Sequence, residues 1–471
     1  MTSVAELIRR TAEAEAEEAV VEIDAGAPTG AAAPAPEHRR PIVLRATGGS
    51  SCDSGLVRDP WAIDREPGYG PGASVGDSAP ASSPRQGALP ERYTQADEAE
   101  LERWIVEAKA KLGERVRILG HFYQRDEIVR HADFVGDSFM LAQAAKQHPE
   151  AEAFVFCGVH FMAETADILS TPEQAVLLPN LAAGCSMADM ATIDQVEKCW
   201  RELTEALGAG VAGEDAAGSQ PAGESEERSA FDGSAGVIPV TYMNSSAAIK
   251  AFCGRNGGIV CTSSNARTVL EWAFERGQRV VFFPDQHLGR NTAKAMGIGE
   301  EQMPLWRPHL PLGGNTVEQL RDSRVILWNG FCSVHKRFTV AQIDQARAEF
   351  PGVRVIVHPE CPAAVVEAAD GAGSTEYIRK QVEAAAPGDV LAIGTEINLV
   401  NRLQQQRPDL TIFCLDPVVC PCSTMYRIHP AYLAWSLESL VAGELPNRIT
   451  VEGSVAEQSR VALERMLAAK P

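Results

Sequence analysis

The chain has 471 residues, 45% of them hydrophobic and 23% charged, with a formal net charge of −20; this describes a globular protein long enough for two to four domains. Such acidity excludes nucleic acid as the expected partner, since phosphate binding needs clustered Lys and Arg. No run approaches 18 consecutive apolar residues, so no membrane span is expected. With no secretory signal in Met1–Arg10, a cytoplasmic setting is expected, where eleven cysteines read as metal ligands or catalytic groups rather than disulfides.

Residues 1–95 read as a disordered extension dispensable for catalysis. Val4 to Ile23 predicts an acidic helix, but Ala25 to Pro90 is rich in Ala, Pro, Gly and Ser and cannot bury enough surface to offset its ordering entropy. Cys52 falls there, in a flexible setting that does not suit a ligand. A second low-complexity segment, 208–234, reads as a surface insertion. From Ala96 onward, Val116–Gly120, Ala153–Cys157, Val237–Tyr242, Arg279–Phe283, Val353–His358, Val390–Ile393 and Thr411–Leu415 read as short buried strands. Each precedes a loop and a helix-like stretch, the alternation of parallel sheets covered by helices. Active sites in such sheets lie at the carboxyl ends of strands.

An internal repeat sharpens this reading. One unit opens at His121-Phe122-Tyr123-Gln124, runs through Ser138 and Cys157-Gly158-Val159-His160, and closes at Cys185. A second opens at Tyr242-Met243-Asn244-Ser245, runs through Ser263 and Pro284-Asp285-Gln286-His287, and closes at Cys332. A third opens at His358-Pro359-Glu360-Cys361, runs through Thr375 and Gly394-Thr395-Glu396, and closes at Cys420 or Cys422. Opening residue to hydroxyl residue spans 17, 21 and 17 positions. Each unit thus supplies a polar strand end, a hydroxyl at a helix start and a terminal cysteine.

Zinc sites use close cysteine pairs, and structural ones need four ligands. Cys185 and Cys332 are isolated, and Cys420-Pro-Cys422 is too tight for an ordinary zinc knuckle. Three thiolates from three units suit an iron–sulfur cube with one iron left open as a Lewis acid. Cys157, Cys199, Cys253, Cys261, Cys361 and Cys414 lie in apolar sequence and read as small buried hydrophobes. Ser138, Ser263 and Thr375 read either as helix N-caps or as parts of anion sites at helix N-termini. His121, His335 and His358 sit in strand-end loops rather than on apolar faces, and Glu360 is placed to shuttle protons. Asp285 and Arg290 read equally as site residues or as a structural turn with an ion pair.

The runs Cys157-Gly158-Val159-His160-Phe161-Met162-Ala163-Glu164-Thr165-Ala166 and Leu178-Pro179-Asn180-Leu181-Ala182-Ala183-Gly184-Cys185-Ser186 closely resemble the quinolinate synthase family. So do His121-Phe122-Tyr123-Gln124, Gly136-Asp137-Ser138, Tyr242-Met243-Asn244-Ser245-Ser246, Pro284 to Arg290, His335, His358-Pro359-Glu360 and Gly373-Ser374-Thr375. The resemblance covers about residues 97–471 apart from the insertion. It implies three similar three-layer α/β/α domains with parallel sheets around a pseudo-threefold axis: 96–184 joined by the C-terminal helices of 423–471, then 185–331 carrying the insertion, then 332–422. It implies a [4Fe-4S] cluster on Cys185, Cys332 and Cys422, with Cys420 as the alternative third ligand. His121, Ser138, Tyr242, Asn244, Ser263, His358 and Thr375 would bind substrate, while Tyr123, His335 and Glu360 would handle protons. The implied reaction condenses iminoaspartate with dihydroxyacetone phosphate to quinolinate in NAD biosynthesis. An aspartate oxidase or dehydrogenase would supply the iminoaspartate. The rival readings are a cluster-dependent hydro-lyase acting on another hydroxy acid, and a non-catalytic iron–sulfur or zinc module.

Overall fold

The computed structural model describes residues 86–208, 236–416 and 421–469. The expected extension lies outside the described residues up to 85, as do Cys52, Cys420 and nearly all of the insertion. Among the described residues no helix is long and apolar enough to cross a membrane.

Three parallel sheets carry the chain, and they share one strand order. The first unit of the repeat gives β1 (Val116–His121), β2 (Phe134–Gly136), β3 (Ala153–Cys157) and β4 (Ala175–Leu177). The second gives β5 (Val237–Tyr242), β6 (Ile259–Cys261), β7 (Arg279–Phe283), β8 (Leu305–Trp306) and β9 (Val325–Trp328). The third gives β10 (Arg354–Val357), β11 (Gly371–Ala372), β12 (Val390–Gly394) and β13 (Thr411–Cys414), after which β14 (Arg448–Ile449) returns antiparallel to β4. The orders are β14-β4-β3-β1-β2, β6-β5-β7-β9-β8 and β11-β10-β12-β13. In each, the opening strand lies between the second and third, and the order reverses beside it. That reversal is the topological switch point where α/β sheets bind ligands. All strand pairs except β4 with β14 are parallel.

The strands are largely apolar because helices cover them. β3, β5 and β9 are buried at every position. In the third sheet Val355, Val357, Ala392, Phe413 and Leu415 form one core with Phe338 and Ile343. In the second, Trp200, Phe252, Phe283 and Trp328 stack edge to face in series, with ring centroids 5.5, 6.5 and 5.3 Å apart.

Two compact units divide the fold. One joins the chain up to Gly184 with Arg337–Thr450 and holds the first and third sheets; the other joins Cys185–Lys336 with the chain from Val451 and holds the second. The C-terminal helices, grouped above with the first domain, separate accordingly. The helix Pro430–Val441 packs against the helix Glu98–Leu112, which opens on an Asp97/Glu100 capping box. The last helix, Gly453–Ala468, instead packs along Ala247–Arg255 of the second sheet's domain. Gly254 is the reason it can. A Cβ there would lie 1.9 Å from Gln458 O, so only glycine permits the close approach. Ser459 Oγ then donates to Ala247 O at 2.8 Å and Arg465 Nη1 to Gly258 O at 2.7 Å.

Candidate active site

In the first unit, the turn after β1 and the residues after β10 and β12 bring polar side chains together. His121 ends β1, and its Nδ1 accepts the Tyr123 N–H at 3.1 Å. Burial, helped by the positive charge of Arg402, holds the imidazole down to about 3, with the Glu360 carboxylate opposing. His121 is therefore neutral, and its remaining Nε2–H is a donor. His358 repeats the device at the end of β10. Its Nδ1 accepts the Glu360 N–H at 3.4 Å and lies 3.8 Å from Glu360 Oε1. Both His358 and Glu360 are buried. The equivalence of His121-x-Tyr123 and His358-x-Glu360, read from the repeat, is thus also a local hydrogen-bond equivalence.

Tyr123 Oη lies 2.8 Å from Thr395 Oγ1, just beyond β12. The next residue, Glu396, is fully buried and raised to about 7 by desolvation, against the pull of N–H groups from Cys422, Asn398 and Leu399. Its Oε1 accepts from Cys422 N at 3.2 Å, and its Oε2 from Asn398 N at 2.8 Å. Cys422 Sγ is 3.4 Å from Thr424 Oγ1. Asn180 Nδ2 donates to Arg427 O at 3.1 Å, so the segment leading to Cys185 rests on the loop that carries Cys422.

Ser138 and Thr375 are each the first residue of a helix, but neither caps it. Asp137 accepts from Phe139 N and Met140 N at 3.0 and 2.9 Å, and Ser374 Oγ accepts from Tyr377 N at 3.2 Å. The capping reading is therefore corrected: the cap is filled one residue earlier, and the Ser138 and Thr375 hydroxyls are not needed for it. Ser263 departs further. It lies in a turn pinned by Thr262 and Asn265, with Thr262 N 2.7 Å from Asn265 Oδ1, and the helix starts only at Ala266.

In the second unit, Tyr242 ends β5 and Asn244 follows in its turn. Ser245 Oγ donates to Tyr242 O at 2.8 Å, and the fully buried Lys250 donates Nζ to Ser245 O at 2.5 Å. Cys185 occupies the cap position of the short helix Ser186–Asp189. Met190, just after that helix, meets the loop that follows β9. Trp328 Nε1 donates to Met190 O at 2.8 Å, and Phe331 N approaches Met190 Sδ at 3.4 Å. Gly330 allows this, since a Cβ there would meet Pro284 O at 2.4 Å and Met190 Cβ at 3.3 Å. The segments bearing Cys185 and Cys332 are thereby packed together. Cys332 O accepts from Lys336 N at 3.0 Å, and His335 beside it is buried. Asp285 resolves as a cap, accepting Leu288 N at 2.6 Å, while Arg290 Nη1 donates to Gln286 at 3.4 Å.

The cysteines sort by environment. Cys157, Cys199, Cys253, Cys261 and Cys361 are buried, and burial pushes the first four thiols up, the behaviour of inert core residues. Cys185, Cys332 and Cys422 are only partly buried, and each follows the last parallel strand of its repeat (β4, β9 and β13). Cys414, also partly buried, lies inside β13 with its Sγ 3.7 Å from Thr395 O. Sequence reading did not single out Asn398 and Arg402, whose spacing of four on one helix was the available signal.

Residues 104–468 match the family model described as quinolinate synthetase A protein. The chain is 66% identical over 403 residues to the quinolinate synthase of Corynebacterium glutamicum, covering 86% of this chain and 96% of that protein. It is 54% identical over 364 residues to the one of Streptomyces coelicolor, covering 77% and 86%. It is 50% identical over 389 residues to the one of Rhodopirellula baltica, covering 80% and 93%. With three like sheets, a cysteine closing each repeat and this match across most of its length, the chain belongs to the quinolinate synthetase A family.

Proposed function

We propose that this chain is a quinolinate synthase, joining iminoaspartate to dihydroxyacetone phosphate and releasing phosphate and water, with Cys185, Cys332 and Cys422 holding a [4Fe-4S] cluster. The observation that carries the reading is the threefold recurrence of a polar strand end at the switch point and a partly buried cysteine after the last parallel strand of each repeat. The donor set fits the group. Three thiols in loops, apart from the core cysteines, suit a soft metal cluster and fall short of the four ligands of a structural zinc. Cys420 falls outside the described residues and stays the alternative third ligand. Once bound, such a cluster supplies an open iron able to polarise a hydroxyl that leaves as water.

The remaining residues bind and move protons. His121, neutral with Nδ1 occupied, presents an Nε2–H donor to substrate oxygens without burying a charge, and His358 stands at the equivalent strand end to bind a second substrate oxygen. The Ser138 and Thr375 hydroxyls, at the first turns of their helices, meet carboxylate or phosphate oxygens where free N–H groups already favour an anion. Tyr242, Asn244 and Ser263 add polar contacts from the second domain. Tyr123, whose hydroxyl is shared with Thr395, hands a proton to or from the reacting carbons, and Glu360 is the general acid/base with His335. Condensation at carbon 3 of iminoaspartate expels phosphate; isomerisation of the resulting hydroxyketone to an aldehyde, ring closure by nitrogen on that aldehyde and two dehydrations complete the aromatic ring. An aspartate oxidase or dehydrogenase would supply the unstable imine.

The test is anaerobic purification of the full chain followed by iron and sulfide analysis and an assay with both substrates. About four iron and four sulfide per chain are expected, with phosphate released from dihydroxyacetone phosphate only when iminoaspartate is present. Zinc in place of iron would overturn the cluster. Dehydration of another hydroxy acid without phosphate release would favour the hydro-lyase.

A further inference from the structure

We propose that Arg402 and Asn398 are positioning residues that clamp the turn His121–Arg125 and so hold the Tyr123 hydroxyl on Thr395; the part that concerns turnover rests on the functional reading above.

Three successive carbonyls of this turn are bound by one face of the helix Ile397–Gln406. Arg402 Nη1 donates to Phe122 O at 2.9 Å, Asn398 Nδ2 to Tyr123 O at 3.2 Å and Arg402 Nη2 to Gln124 O at 2.6 Å. Arg402 Nε completes the set on Asp126 Oδ1 at 2.9 Å, and its side chain is only 12% exposed. Residues four apart on a helix face the same way, so both reach one turn. Such a row of carbonyls needs outside donors. A planar guanidinium can serve two carbonyls and a carboxylate at once, which a single ammonium cannot.

The clamp grips Tyr123 at both ends. Its carbonyl is bound by Asn398 and the carbonyls on either side by Arg402, while its hydroxyl meets Thr395, immediately before the same helix. Asn398 is fixed in turn, since its Nδ2 also donates to Glu396 Oε1 at 2.9 Å, the atom that accepts Cys422 N. A second link leaves the same turn. Gln124 Nε2 reaches Met425 Sδ at 3.4 Å, and Arg125 stacks 3.8 Å over the Tyr426 ring while donating to Tyr426 O at 3.2 Å. The turn that carries Tyr123 and the loop that carries Cys422 are therefore held as one hydrogen-bonded body by Glu396, Asn398 and Arg402. Arg402 also lends its charge to keeping His121 neutral.

The experiment compares wild-type, Arg402→Lys and Asn398→Ala holoprotein by iron and sulfide content, amide hydrogen exchange, and kcat and KM for both substrates. Each variant loses one or two carbonyl bonds. Exchange protection across residues 121–125 is expected to fall about tenfold, with iron content and protection in the β5–β9 domain unchanged. For a proton-transfer group displaced by a fraction of an ångström, kcat is expected to fall about 10- to 100-fold with KM changed less than about threefold. Asn398→Ala guards against a folding failure in Arg402→Lys. Unchanged exchange at 121–125 in both variants overturns the clamp, as does loss of protection spread evenly over the protein. A local loss of protection with wild-type kcat overturns the positioning role. If the wild-type protein makes no quinolinate, it is the functional reading that fails, and the exchange pattern still decides the clamp.

Discussion

A histidine whose Nδ1 takes a backbone N–H is committed to one tautomer, and His121 shows what that means for stability. Unfolded, the imidazole titrates near its ordinary value of about 6.5; folded, burial and Arg402 hold it to about 3. Between these values the unfolded chain binds the extra proton, so stability falls as pH drops, by about 1.4 kcal/mol per pH unit for one such group. Above about pH 6.5 the term vanishes. Denaturant midpoints at pH 7, 6 and 5 should therefore slope less steeply in His121→Asn, while the slope owed to His429, also held to about 3, persists; equal slopes in the two proteins would refute the neutral assignment. The cysteines pose the sharper residue-scale test. Cys185→Ala and Cys332→Ala are expected to lose the cluster, and Cys199→Ala, deep in the core, to keep full iron content. Retention of iron by Cys332→Ala would remove the three-ligand model. Loop context separated these thiols in the sequence, because Gly-containing strand-end loops differ from apolar runs. The hydrogen-bond partners of Tyr123 were not legible, since Thr395 and Asn398 lie 272 and 275 positions away along the chain.

Elements were legible where burial was continuous. All seven expected strands exist, with β1 and β12 one residue longer than read and β10 and β13 slightly shorter. The strands that went unread are mostly edges or near-edges of two or three residues, such as Phe134–Gly136 and Gly371–Ala372, too short to show a period. Val325–Trp328 is different: four fully buried apolar residues without alternation do not distinguish strand from buried helix. The destination of the last helix was hidden for another reason. What sends Gly453–Ala468 to the second sheet's domain is the absence of a side chain at Gly254, a fact about close approach rather than pattern. Gly254→Ala forces two helix backbones apart. It should cost about 1–3 kcal/mol, read as a lowered denaturant midpoint, with the Tyr123 turn unaffected in hydrogen exchange. An unchanged midpoint would show that this helix pair can slide to accept a methyl group.

For the whole molecule the repeat explains more than any single motif. One strand order, used three times, puts an opening strand beside a switch point in each sheet, and the chain then places a cysteine after the last parallel strand of each repeat. Chemistry assembled this way depends on the scaffold holding its loops, and that scaffold reaches into the expected extension, since residues 86–95 are described. Among the described residues of that extension, Gln86 has a defined role: its Oε1 accepts Leu181 N and Asn447 Nδ2, both at 2.8 Å. Leu181 stands four residues before Cys185, so this contact braces the approach to a proposed cluster ligand. Removal of residues 1–85 is accordingly expected to leave turnover and iron content intact. Removal of residues 1–90 strips the acceptor from a partly buried N–H, at about 1–3 kcal/mol for a group left unsatisfied, and should lower both the denaturant midpoint and the iron retained after brief exposure to air. If the two truncations behave alike, Gln86 is not a brace and the scaffold begins later; if the shorter one is folded yet inactive, the extension itself takes part in the reaction.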